Sequence, residues 1–129
     1  MEKLFLELNP VLQDWLKRAR IEGKPCRLDE FKRANGRTIW TSPADVLVID
    51  EDGARRLISR IRDISREGIG IHCRTAIPVG SAIRVYSAHP DLQDEFVDGT
   101  VAHCTMTVGG YKIGGVIESD ELSLSSLLF

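Results

Sequence analysis

Two short clusters hold the residues of this chain best suited to chemistry. Arg33-Ala34-Asn35-Gly36-Arg37 sets two guanidiniums four positions apart, with an Asn-Gly turn signal between them. Asp63-Ile64-Ser65-Arg66-Glu67-Gly68 joins a carboxylate, a hydroxyl and a glycine at the end of an alternating segment. A guanidinium grips a phosphate through two parallel N–H bonds, takes the O6/N7 edge of guanine in the same way, or stacks on a base. Lysine, a point charge, cannot replace all three modes. A carboxylate at position 63 can accept from N1–H and N2–H₂ of guanine, an edge whose donors arginine cannot read. Ser65 offers a hydroxyl for a phosphate or for pinning the turn. Gly68, lacking a Cβ, lets backbone approach a ligand or adopt positive φ. The two clusters therefore suit a compact anionic ligand.

These groups need elements to hold them. Asn9-Pro10 reads as an N-cap followed by proline at the first helical position, and Val11, Leu12, Trp15, Leu16 and Ala19 continue at helical spacing towards a stop at Gly23. The apolar stripe is expected to pack on the rest of the domain or on another subunit. Gly23–Pro43 reads as a mostly irregular basic arm, with one helical turn over Arg27–Arg33. From Ala44 the period becomes two. Strands are expected over 44–50, 55–64, 68–73, 83–86, 97–106 and 111–117, with turns at Asp50–Gly53 and Gly109-Gly110 and a polar loop over Ala88–Glu95. Six short antiparallel strands punctuated by turns fit a closed barrel. Residues 119–129 are expected to form a short C-terminal helix or tail on Leu122, Leu127 and Leu128.

The order of the clusters, their spacing and the strand between them resemble the signature of PilZ domains, which bind the bacterial second messenger cyclic di-GMP. Gly99-Thr100-Val101 and Gly110-Tyr111-Lys112-Ile113-Gly114 are similar to the last two strands of that family. The resemblance covers about residues 30–118, and the five signature positions match. It implies a mainly β fold, a six-stranded antiparallel barrel, with residues 1–29 as an N-terminal helical extension. It also implies a signalling module in which Arg33, Arg37, Asp63, Ser65 and Gly68 bind cyclic di-GMP. Lys32 would help to accommodate an intercalated pair of ligand molecules rather than one. The expected mechanism is order from disorder, the basic arm closing when its arginines find phosphates and guanine. The readout would be a new surface, dimerisation, or exposure of the N-terminal helix. The alternative is a PilZ-like adaptor that works through protein contacts without nucleotide, as members lacking the arginines do.

Charge distribution agrees with an anionic ligand. Net charge is only −2, which argues against a general nucleic-acid binder. Yet residues 17–37 carry eight basic and three acidic side chains, and residues 55–66 five arginines against Asp63, whereas residues 91–121 are strongly acidic. No apolar run approaches the roughly 18 residues of a membrane span, and the N-terminus shows no secretory cleavage pattern, so a cytoplasmic location is expected. Cys26, Cys73 and Cys104 are odd in number and are expected to be reduced. The dipeptides His72-Cys73 and His103-Cys104 evoke metal ligation, but strand neighbours point to opposite faces, which puts the cysteines in the core if the histidines face outward. No metal, no cofactor and no enzymatic activity are expected; His72, His89 and His103 have no recognisable nucleophile partner.

Overall fold

The computed structural model of the protein describes residues 8–25 and 37–118. Helix α1 spans Pro10–Glu22, followed by β1 (Lys24–Pro25), β2 (Thr38–Asp50), β3 (Gly53–Ile64), β4 (Gly68–Cys73), β5 (Ala82–Ser87), β6 (Phe96–Thr107) and β7 (Gly110–Ile117). All pairings are antiparallel, in the order β2-β3-β4-β7-β6-β5, and β5 pairs back onto β2. The six strands thus close a barrel, with β1 added to the start of β2.

Helix α1 starts where the sequence placed it. Asn9 Oδ1 accepts from the Leu12 amide at 3.0 Å, filling one of the free donors of the first turn, while Asn9 Nδ2 donates to the Glu118 carbonyl at 3.0 Å. The helix therefore begins against the end of β7. Gly23 closes it, its amide donating to the Ala19 carbonyl. Leu12, Trp15, Leu16 and Ala19 are buried and share one core with Val46, Ile61, Ile71, Val85 and Ile113 of the barrel. Trp15 is fully buried, its indole N–H satisfied by Glu95 Oε1 at 2.8 Å. Burial of each such large side chain stabilises the fold by about 1.5–3 kcal/mol. The apolar stripe thus packs on the barrel.

The first long strand begins at Thr38 rather than Ala44, which corrects the reading of Gly23–Pro43 as a mostly irregular arm. Thr38, Trp40, Ser42 and Ala44 are buried while Ile39, Thr41 and Pro43 are exposed. Polar residues face inward and an isoleucine outward, so the alternation is real but its hydropathy is scrambled. The loop before β6 contains a 3-10 turn, Pro90–Leu92, that buries Leu92. Lys32, Arg33, Cys26, the helical turn over 27–33 and the tail over 119–129 lie outside the described residues, and so does most of the segment expected to close over a ligand.

Candidate functional site

Arg37 stands at the entrance to β2, and the β2–β3 register brings its neighbourhood beside Asp63, the partner of Ile39. Arg37 Nη1 lies 3.4 Å from Asp63 Oδ1, an ion pair too long for a strong hydrogen bond, with side chains 25% and 17% exposed. Arg37 Nε is buried without a hydrogen-bond partner among the described residues. A buried N–H in this condition is costly unless an acceptor arrives.

The position of Asp63 depends on a bulge. Ile61 pairs with Ile71 and Asp63 with Gly70, leaving Arg62 as an extra residue on β3. Ile61 and Ile64 both face the core, three apart, and Asp63 is turned out between them. Its carboxylate occupies the space where a side chain at position 70 would begin. A Cβ there would lie 2.5 Å from Oδ1 and 2.8 Å from Cγ and Oδ2. Gly70 is therefore a requirement of the Asp63 conformation.

Ser65 and Gly68 form the turn between β3 and β4. The Ser65 amide donates to the Gly68 carbonyl at 3.0 Å, and its hydroxyl donates more weakly to the same oxygen at 3.5 Å. Gly68 does not have positive φ; a Cβ on it would lie 3.0 Å from the Gly115 carbonyl, so close approach to β7 is what favours glycine. The turn is tied down further by the Ile117 amide donating to the Glu67 carbonyl at 2.9 Å and by Gln13 Nε2 donating to the Arg66 carbonyl at 2.8 Å.

Arg37, Ser65 and Gly68 line one open cleft of about 540 Å³ together with Arg66, Glu67, Ala102, His103, Gly114, Gly115 and Val116. Asp63 does not line it directly; it backs Arg37. Of the residues singled out in the sequence as ligand contacts, Arg37, Ser65 and Gly68 line the cleft and Asp63 adjoins it, whereas Arg66, His103 and Gly114 on the cleft and Gly70 beneath Asp63 were not singled out. The Gly68-Ile69-Gly70 alternation was a local signal for Gly70. No local signal joined His103 to the cluster. A second cleft of about 420 Å³, bounded by Asp45, Leu47, Arg56, Tyr86, Ser87, Gln93 and Asp94, contains no residue of either cluster.

With this geometry in hand, comparison with known families is decisive. The model of the PilZ domain family matches residues 31–128. The chain belongs to the PilZ family. PilZ domains are receptor and adaptor modules of the cyclic di-GMP-binding type, and the matched span contains both clusters, with α1 ahead of it. No curated protein gives a significant match to the chain.

Other features of the PilZ barrel bear on rival chemistry. Cys73 is buried and Cys104 partly buried against the core, while His103 is exposed and His72 half-buried, as strand alternation requires. Burial disfavours the Cys73 thiolate and pushes the thiol up, an effect only partly offset by its 3.0 Å hydrogen bond with Ser59 Oγ. Among the described residues no three His, Cys, Asp or Glu side chains form a group able to hold a metal ion. No described helix is long and apolar enough to cross a membrane.

Proposed function

We propose that this PilZ domain binds cyclic di-GMP in the cleft of Arg37, Ser65 and Gly68 and passes the binding event on through contacts of the barrel surface or of α1. The observation that carries this reading is the state of Arg37. Its guanidinium is backed by Asp63, leaves a buried Nε–H unpaired among the described residues, and borders a cleft large enough for nucleotide groups. A phosphate oxygen is the acceptor that such a donor suits best. The Ser65 hydroxyl, held only weakly by the Gly68 carbonyl, offers a further donor, and Arg66 adds positive charge at the rim. Arg33, four positions before Arg37, belongs to the same site in this reading, with Lys32 beside it as the residue favouring an intercalated pair.

Asp63 has two roles in this account. In the free protein it orients Arg37. With ligand present it can accept from a guanine edge once the arginine turns to phosphate. The proposed location is the cytoplasm, and the site uses no cofactor and performs no catalysis. Calorimetric titration with cyclic di-GMP, with cyclic di-AMP as comparison, tests the reading and gives the stoichiometry. Binding of the guanine dinucleotide alone supports it, while absence of binding to either favours the adaptor alternative.

A further inference from the structure

The barrel register sets four residues of the cleft region in one cross-strand row. Asp63 on β3 pairs with Gly70 on β4, Gly70 pairs with Gly114 on β7, and Gly114 pairs with His103 on β6. The two outer members are placed in the same way. A bulge at Arg62 precedes Asp63, and a bulge at Ala102 precedes His103. Each then lays its side chain over the glycine opposite. At Gly114 a Cβ would lie 2.5 Å from His103 Cε1 and 2.7 Å from Cδ2, and closer still to Nε2. Three ring atoms crowding one point above the Gly114 Cα means that the imidazole lies across the backbone rather than meeting it by an edge. One face is thus backed by glycine, while the residue as a whole is exposed and borders the cleft.

We infer that His103 is a base-contacting residue of the cleft, a stacking platform whose outward imidazole face receives a purine base of the bound nucleotide. A flat ring fixed from beneath loses little freedom when a base settles on it, and any purine offers a matching π-face. The glycine pair keeps the floor low: a side chain at 70 or 114 would fill the space above β4 and β7 that Asp63 and His103 now occupy. Arg37 and Ser65 on the same cleft would hold the phosphate, leaving the base to reach across the row towards β6. The inference rests on the cyclic di-GMP reading of the site and adds to it a base-contacting residue outside both sequence clusters.

The test is calorimetric titration of the full chain and its His103→Ala and His103→Phe variants with cyclic di-GMP, together with proton NMR of the His103 ring. Loss of one base stack predicts an affinity about 5- to 100-fold lower for His103→Ala, with recovery in His103→Phe, which keeps a flat ring and lacks hydrogen-bonding nitrogens. The His103 Hε1 and Hδ2 signals should move upfield when ligand is added, as ring currents of a stacked base require. Unchanged affinity in His103→Ala, or loss in both variants without an upfield shift, overturns the stacking role while leaving the cleft as the ligand site. No binding by the unsubstituted chain overturns the ligand reading itself and the platform with it. Thermal melts of the variants establish that each is folded, as expected for an exposed side chain.

Discussion

Gln13 on α1 donates its side-chain amide to the backbone carbonyl of Arg66 at 2.8 Å, so the N-terminal helix holds the turn that presents Ser65 and Gly68. The helix also sits in the barrel core through Leu12, Trp15, Leu16 and Ala19. A movement of the β3–β4 turn on ligand binding would therefore be felt directly by α1, across one hydrogen bond.

Removing that bond separates its local and functional effects. Gln13→Ala should lower stability by only about 0.5–1 kcal/mol, since the bond is exposed, as read from the denaturant midpoint. The variant should also show a changed affinity for cyclic di-GMP, because the turn loses one of its anchors. Identical affinity in the two proteins would mean that the helix does not report on the turn.

Gly70 should tolerate no side chain while Asp63 keeps its present conformation. Gly70→Ala places a methyl group against the Asp63 carboxylate and is expected to cost about 1–3 kcal/mol of stability. Asp63→Ala in the same chain removes the clash, so the double variant should be less impaired than additivity predicts. Additive losses in chemical denaturation would show that Asp63 can move aside freely.

Much of this arrangement was legible in the sequence and part was not, for physical reasons. The start of α1 is written locally in Asn9-Pro10 and its apolar spacing, because capping depends on neighbours in the chain. Likewise Ser65 and Gly68 share a turn, and the turn makes its own hydrogen bonds. The start of β2 was hidden because Thr38 and Ser42 take buried positions and Ile39 an exposed one. The row Asp63–Gly70–Gly114–His103 was hidden for a different reason. It exists only through the pairing of four strands and through bulges at Arg62 and Ala102, so no sequence interval encodes it. Arg37 and Asp63 lie between these cases: each cluster was visible alone, but their ion pair required the β2–β3 register.

Acid should weaken the junction between α1 and the barrel. Glu22 accepts from Trp40 Nε1 at 3.0 Å and from Arg18 at 3.2 Å, with His89 Nε2 at 3.3 Å. The Trp40 hydrogen bond above all, with the positive neighbours, holds its carboxyl below the ordinary value of 4.5. A folded value below the unfolded one contributes stability that is complete above the unfolded value and lost as pH falls through the folded one. The stability advantage of the unsubstituted chain over Glu22→Gln should accordingly shrink as pH falls below about 4.5. A difference that grows as pH falls below about 4.5 would contradict this assignment.

The most direct test of the central claim is calorimetric titration of cyclic di-GMP into the unsubstituted chain and into Arg37→Ala. The account predicts saturable binding by the first and a loss of about 2–5 kcal/mol of binding free energy in the second, as when one partner of a partly buried charge contact is truncated. The same substitution should reduce folding stability by only about 1 kcal/mol, since the 3.4 Å pair with Asp63 is long and partly exposed. Equal affinity in the two folded proteins would contradict the assignment of Arg37, and no heat of binding in either would contradict the claim that this cleft receives the nucleotide.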